Sequence, residues 1–210
     1  MSVEAFDQIE DTIKSTSSVM EGMRRLLDYC DGNLRNPLWI NVRNLDFESD
    51  ITNLRFWLEN VLSNEPPSQE INGFWFGLYN PVLDNGEVSC RLYISGSTKF
   101  NREDETGDWA AWDNSSYLPE GRYANSKVLH EIFRLIENVR ERFHLHNQNA
   151  DYFVEEINGL ENGEYLLCFG YACLAVKAIC GSINPKLLFG ERDNRAVVVG
   201  FDSGDWIILN

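Results

Sequence analysis

The stretch YLLCFGYACLAV, Tyr165–Val176, constrains the fold more than any other part of the chain, because its twelve residues include no charged side chain. Residues 164–180 therefore predict a helix that is apolar nearly all round, and such a helix has to be buried on every side. Gly181 is expected to end it. Since a bilayer-spanning helix needs about 20 apolar residues, we expect a central core helix and no membrane partner.

Apolar side chains at helical spacing predict further helices, with ends marked by residues of the usual capping types. Their ranges are 3–30, 49–67 and 126–146. The first range is expected to form one bent helix or two short ones, and Gly32 is expected to take the left-handed position after its end. Ser49 and Ser126 are expected to cap the second and third helices, because a serine hydroxyl accepts a bond from a free backbone amide.

Runs rich in β-branched and aromatic residues predict strands. Their ranges are 38–42, 73–80, 87–96, 196–201 and 206–210. The tripeptide Asp84–Gly86 predicts a hairpin between the second and third runs, and Gly204 is expected to supply the positive backbone angle of a hairpin between the last two. Residues 97–125 show little periodicity and are expected to form a long surface loop. The fold class that follows is α+β, a mostly antiparallel sheet packed with helices in a single domain over residues 1–210.

The chain is strongly acidic, with a net charge of −15 from 18 basic and 33 acidic residues. Nucleic acid and anionic membranes would be repelled, whereas encounter with a basic protein would be accelerated. The N-terminus has no basic start followed by an apolar run, so we expect a cytoplasmic protein. The five cysteines are scattered and form no CxxC pair, which indicates reduced thiols and no metal site.

No motif in the sequence supports catalysis. Ser203 lies in DSGD between two strands, and neither the GxSxG turn of α/β-hydrolases nor a glycine-rich phosphate loop is present. His130 belongs to no metal-binding or nucleophile motif. We therefore expect no catalytic residue and no cofactor. A small-molecule-binding or hydrolytic enzyme of an uncharacterised class stays an alternative, which a deep pocket holding His130 or Ser203 beside a carboxylate would favour.

One segment, Arg102–Asp113, combines acidic residues with two tryptophans on a predicted loop. The tryptophans either fold back into the core or serve as anchors for a partner, while the carboxylates pair with its Lys or Arg side chains. The acidic tip of the C-terminal hairpin is a second candidate. The predicted partner-binding residues are Glu103, Asp104, Glu105, Asp108, Trp109, Trp112, Asp113, Asp202 and Asp205.

The end of the chain, VGFDSGDWIIL within Ala196–Asn210, resembles the Gly-Asp hairpin of SUKH-type immunity proteins from bacterial polymorphic toxin systems. Those proteins usually continue past the hairpin, whereas this sequence stops there. The resemblance implies a general role: such proteins bind a cognate toxin domain and block its active site. Because nuclease toxins tend to be basic, an acidic blocker is electrostatically suited to that role. A structural or adaptor protein is a further alternative.

Overall fold

The computed structural model describes residues 3–34, 36–101, 103, 109, 113–146, 151–190, 195–201 and 204–210. In these segments the helices are α1 (Val3–Ser15), α2 (Val19–Asn33), α3 (Trp39–Arg43), α4 (Phe47–Asn64), α5 (Lys127–His146), α6 (Asp151–Ser182) and α7 (Pro185–Phe189). The strands are β1 (Gly73–Tyr79), β2 (Arg91–Ser97), β3 (Tyr123–Ala124), β4 (Ala196–Phe201) and β5 (Trp206–Ile208).

The strands form one five-stranded sheet in the order β3-β2-β1-β4-β5. The pairs β1–β2, β2–β3 and β4–β5 are antiparallel, while β1 and β4 pair in parallel, with Gly73 opposite Ala196 and Leu78 opposite Phe201. The predicted α+β class is therefore confirmed, and the sheet is mixed. The parallel pair arises because β4 follows helices in the chain and returns to the free edge of β1 by a crossover, which a hairpin cannot provide.

The chain forms two compact units, each assembled from three separate segments. The first unit contains residues 1–48, 81–90 and 127–174, and the second contains 49–80, 91–126 and 175–210. The whole sheet belongs to the second unit, whereas α1, α2, α3 and α5 belong to the first. The single domain predicted over residues 1–210 stays a prediction.

The first unit is built around the amino-terminal part of α6. Residues 166–174 are buried without interruption, as the charge-free run predicts for a core helix. Close approach requires glycine here: a Cβ on Gly22 would lie 2.5 Å from Leu174, and one on Gly170 would lie 2.4 Å from Leu26. The core helix is confirmed, and it ends at Ser182 instead of at Gly181.

Helix α6 is also the one segment of the described residues that is long and apolar enough to cross a membrane. Asn162–Ser182 has a mean hydropathy of 1.5, and 67% of its most apolar window is buried inside the protein. Burial of this kind is typical of a core helix, so length and composition alone are weak support for a membrane span.

The predicted helical region over residues 3–30 consists of two helices, α1 and α2. Ser18 separates them and caps α2, because its hydroxyl accepts a bond from the backbone amide of Glu21 at 3.2 Å. The expected left-handed role of Gly32 is wrong. Gly32 lies inside α2, which ends at Asn33, and the C-cap residue Leu34 has a right-handed conformation.

The predicted strand at residues 38–42 is also wrong, since this segment forms the short helix α3. Trp39 and Val42 are fully buried, whereas Ile40 is 63% exposed. Burial therefore recurs at a spacing of three, which one face of a helical turn provides and the two-residue alternation of a strand does not. In addition, the Asn36 side chain accepts a bond from the Leu38 amide at 2.9 Å and begins the turn.

Helix α4 matches the predicted helix at residues 49–67, with a shifted start. It begins at Phe47, so Ser49 lies within its first turn and is not the cap. It ends at Asn64, before the two prolines. Its buried side chains in the second unit include Leu54, Leu58 and Val61.

The two predicted hairpins are both present. Gly86 has a φ of +85°, which confirms the glycine-dependent turn after β1. Gly204 lies between β4 and β5 without a positive φ, so its expected left-handed angle is wrong. There the backbone amide of Phe201 donates to the carbonyl of Asp205 at 3.1 Å. The predicted loop over residues 97–125 contains β3 and a bridge between Gly96 and Tyr117.

Candidate partner-binding site

Trp109 is buried, with 2% of its surface exposed. Its ring makes edge-on contacts with Phe100 at 4.7 Å and Trp75 at 5.9 Å, measured between centroids. Of the two alternatives for this tryptophan, the structure therefore has the one in which it folds into the core. Because Trp109 comes from the acidic segment and Trp75 from β1, this packing places Trp109 against the sheet.

The acidic segment is attached at both of its ends. Lys99 and Asp113 form a salt bridge of 2.8 Å across its base, and the Asp113 amide donates to the Trp109 carbonyl at 3.0 Å. At the other end, the Glu103 amide donates to the side chain of Asn101 at 3.0 Å. Glu103 is exposed, whereas Asp113 is half-buried. The two described acids, Glu103 and Asp113, are thus each held by a contact within the chain.

Asp205 lies at the β4–β5 hairpin and is half-buried. The next residue, Trp206, packs with Ile208 against the buried cluster of Trp75 and Trp109. The hairpin and the acidic segment therefore adjoin the same aromatic cluster. The other predicted site residues, Asp104, Glu105, Asp108, Trp112 and Asp202, lie outside the described residues.

A group of three tyrosines was missed by the sequence reasoning. Tyr79, Tyr93 and Tyr123 come from β1, β2 and β3, and their ring centroids lie 5.3–6.0 Å apart. We call these three residues the tyrosine patch. Tyr123 is 46% exposed, and the other two are half-buried. Knowledge of the strand pairing could have revealed this group. Tyr93 lies opposite Tyr123 and Tyr79 lies opposite Arg91, all on one face of the sheet.

His130 has a hydroxyl neighbour in the first unit. Its ring Nδ1 lies 3.0 Å from the hydroxyl of Ser89, which is the spacing of a nucleophile and its base. Ser89, however, is only 2% exposed, so a substrate carbonyl has no access to its oxygen. The contact therefore serves as a hydrogen bond between the 81–90 segment and α5.

The cysteines also fit packing better than reactivity. No disulfide joins the five cysteines, all of which lie in described segments. Burial raises the pKa of the Cys30 and Cys180 thiols to about 12 and raises that of Cys173 as well. Such thiols are protonated near neutral pH and are poor nucleophiles. Among the described residues, no group of three or more His, Cys, Asp and Glu side chains is arranged to hold a metal ion.

Two surface depressions in the described structure bear on a small-molecule site. One, of about 580 Å³, is lined by Gln69, Glu70, Asn72 and Thr98 in the second unit. The other, of about 360 Å³, is lined in the first unit by Met20, Glu21, Arg24, Leu27, Arg43 and Phe47. None of the described lining residues of either depression is a histidine or a serine, so neither shows His130 beside a carboxylate in the way that would favour an enzyme.

No protein-family model, no curated protein and no solved structure matches this chain. Its function has to be argued from the arrangement of its own residues. The most distinctive arrangement is the aromatic cluster. It includes Trp109 of the acidic segment, and the hydrogen bond between Trp75 and Tyr93 connects it to the tyrosine patch.

Proposed function

We propose that this chain is a cytoplasmic immunity protein, an acidic binding protein that neutralises a basic toxin domain by direct protein–protein contact. The observation that carries the proposal is the burial of Trp109 from the acidic segment against the sheet, while Glu103 faces solvent. Because Glu103, Trp109 and Asp113 are already held by contacts within the chain, their ordering adds little to the cost of binding.

The charge of the whole chain supports the same function. A net charge of −15 attracts a basic domain over a distance of about a Debye length and raises the association rate. The acidic segment and Asp205 would then pair with Lys or Arg side chains that the toxin uses at its active site. A partner held in this way is inhibited by coverage, so the binding protein needs no catalytic residue and no cofactor of its own.

The alternative is a small-molecule-binding or hydrolytic enzyme. The feature that best supports an enzyme is the Ser89–His130 hydrogen bond of 3.0 Å. The burial of Ser89 weighs against it, because hydrolysis requires the nucleophile to meet its substrate. The thiol pKa values, which burial raises, also fit structural cysteines better than catalytic ones.

Capture from the native cell, followed by binding kinetics, tests the proposal. The tagged chain should retain a basic protein whose toxicity is suppressed when the two are co-expressed. Replacing Glu103, Asp104 and Glu105 by Lys should slow association, and the loss should be largest at low salt. A matched control replaces the exposed Glu4, Asp7 and Asp11 of α1 by Lys, which changes the net charge equally.

The two triple variants separate local from global charge. If the proposal holds, the control slows association less than the variant in the acidic segment does. Equal rates for both variants and the unmodified chain would exclude steering by this segment. Retention of only acidic or neutral proteins, none of them toxic, would contradict the immunity function itself.

A further inference from the structure

The strand register places the tyrosine patch on a single face of the sheet. Tyr93 of β2 lies opposite Gly77 of β1 on one side and opposite Tyr123 of β3 on the other. Tyr79 lies two residues beyond Gly77 and so points to the same face. The three rings contact one another, with centroid distances of 5.7, 5.3 and 6.0 Å. They form one continuous aromatic surface across three strands.

Contacts with Gly77 and Trp75 fix the position of the Tyr93 ring. A Cβ on Gly77 would lie 2.2 Å from the Tyr93 ring, so the ring lies directly over a glycine that leaves room for it. Its hydroxyl accepts a hydrogen bond from the indole of Trp75 at 3.1 Å. A patch held in this way loses little conformational entropy when a partner covers it, and tyrosine is among the residue types that contribute most to binding energy.

Two arginines border the patch. The Arg122 guanidinium carbon lies 4.7 Å from the centroid of the Tyr123 ring, and its Nη2 donates to the Tyr123 hydroxyl at 3.2 Å. Burial raises the pKa of the Tyr79 hydroxyl, and the neighbouring charges of Arg91 and Arg122 oppose that rise. Arg91 lies opposite Tyr79 in the register of β1 and β2, so each of the two arginines neighbours a tyrosine of the patch.

Neither Arg91 nor Arg122 forms an ion pair with a carboxylate in the described part of the chain. In contrast, carboxylates pair with four other arginines, namely Arg24, Arg25, Arg43 and Arg134. Arg91 and Arg122 instead lie near tyrosine rings, as Arg55 lies over the ring of Phe56. The two guanidinium groups place positive charge beside the patch, whereas the net charge of the molecule is negative.

The positive charges of Arg91 and Arg122 determine which kind of side chain can bind at the patch. Arg122 already covers one face of Tyr123, so an incoming Lys or Arg would meet a like charge. A carboxylate could instead form paired hydrogen bonds with a guanidinium group. At physiological salt the Debye length is about 8 Å, so the two arginines act on a bound group more strongly than distant acids do. A nucleic acid carries many phosphates beyond that range, and the net charge of −15 disfavours it.

We propose that the tyrosine patch, with Arg91 and Arg122, is a second docking surface that binds a protein segment carrying Asp or Glu beside aromatic side chains. The aromatic side chains of that segment pack on the tyrosine rings, and its carboxylates pair with the two guanidinium groups. This surface differs from the acidic segment in charge and in partner, and it does not require that the partner be a toxin.

Three fluorescently labelled probes test the proposal against the intact chain: the peptides WEEWEE and WKKWKK, and the oligonucleotide rU8. We expect WEEWEE to bind, to perturb the tyrosine-patch resonances in NMR spectra, and to bind at least about tenfold more tightly than WKKWKK. Replacing Arg91 and Arg122 by Glu should weaken WEEWEE binding by about tenfold or more, and the milder replacement by Gln should weaken it less.

A matched control carries Glu at Arg24 and Arg134, which are exposed on helices of the first unit and change the net charge equally. It should leave WEEWEE affinity nearly unchanged. Circular dichroism and urea unfolding verify that every variant is folded, and the Gln variant provides the comparison if the Glu variant is not. Equal binding of WKKWKK, tighter binding of rU8, absence of WEEWEE binding, or an affinity insensitive to Arg91 and Arg122 would each overturn the proposal.

Discussion

The indole Nε1 of Trp75 donates a hydrogen bond to the hydroxyl of Tyr93 at 3.1 Å. Trp75 is 1% exposed and belongs to the buried cluster that includes Trp109, whereas Tyr93 belongs to the half-exposed tyrosine patch. One polar contact therefore links the packing under the acidic segment to the surface formed by the tyrosines. A change on either side of this bond should be detectable on the other.

Replacing Tyr93 by Phe should lower the free energy of unfolding by about 1–2 kcal/mol, because the buried indole of Trp75 loses its acceptor. Urea unfolding followed by tryptophan fluorescence measures this loss. Tyr123→Phe is the control, since its hydroxyl accepts from Arg122 near the surface, and it should cost less than about 0.5 kcal/mol. Equal losses for the two variants would contradict the role of the Trp75–Tyr93 bond.

Gly77 should tolerate no side chain. In Gly77→Ala the new Cβ would lie 2.2 Å from the Tyr93 ring and 2.6 Å from the Trp75 indole nitrogen, so both rings must move. We expect a loss of about 1–3 kcal/mol in the free energy of unfolding. Because the Tyr93 ring moves, the near-ultraviolet circular dichroism of the aromatic side chains should change as well.

Gly32→Ala provides a matched glycine control. Gly32 lies in α2, and a Cβ there would have no neighbouring atom within 4 Å. Alanine should therefore stabilise the helix by about 0.5–1 kcal/mol, since it restricts the unfolded chain more than glycine does. If both alanine variants changed stability in the same direction, steric crowding at Gly77 would not be the cause.

Ser126 and Asp50 form a buried hydrogen bond in the second unit. The Ser126 hydroxyl donates to the Asp50 carboxylate at 2.6 Å, and the two residues are 3% and 2% exposed. Ser126→Ala should lower the free energy of unfolding by about 1–3 kcal/mol, because a buried carboxylate oxygen loses a donor. Ser182→Ala, which removes a bond from a more accessible hydroxyl to the Ile179 carbonyl, should cost less in the same urea titration. A larger loss at Ser182 would contradict this ranking.

The thiols of buried Cys30 and half-buried Cys180 make stability depend on alkaline pH. Burial raises the pKa of Cys30 and Cys180 from 9.0 to about 12. Between these values the folded state binds more protons than the unfolded state, so the free energy of unfolding falls as the pH rises from about 9 to about 12. A Cys30→Ala/Cys180→Ala variant should show a shallower decline, measured by thermal unfolding at successive pH values. An identical slope would show that other groups cause the decline.

The helices were largely predictable because their signal is local. Apolar residues at every third or fourth position, and the charge-free run in α6, can be recognised from neighbouring residues in the sequence alone. Helix α3 escaped prediction for the opposite reason: the strand propensity of Trp39, Ile40 and Val42 was outweighed by the burial of Trp39 and Val42 on one helical face. Short segments of this kind are decided by tertiary packing, which a local pattern does not contain.

The candidate site was predictable only in part. Composition identified the acidic segment, and the structure adds that its Trp109 is buried in the aromatic cluster. The tyrosine patch depends on strand register, since Tyr123 comes from a two-residue strand that no periodicity indicates. The parallel pairing of β1 and β4 is equally non-local, because nothing near either strand specifies which edge it meets.

That parallel pairing also governs the order in which the second unit can assemble. β1 can pair with β2 through the hairpin at residues 80–90 soon after both have been synthesised, but its other edge stays open until β4 follows α5 and α6. Closing so long a segment costs entropy before any contact is gained, which slows folding. Until then the strand with Phe74, Trp75 and Phe76 exposes unpaired backbone groups along one edge. Such an edge promotes aggregation, and a chaperone would recognise it on the nascent chain.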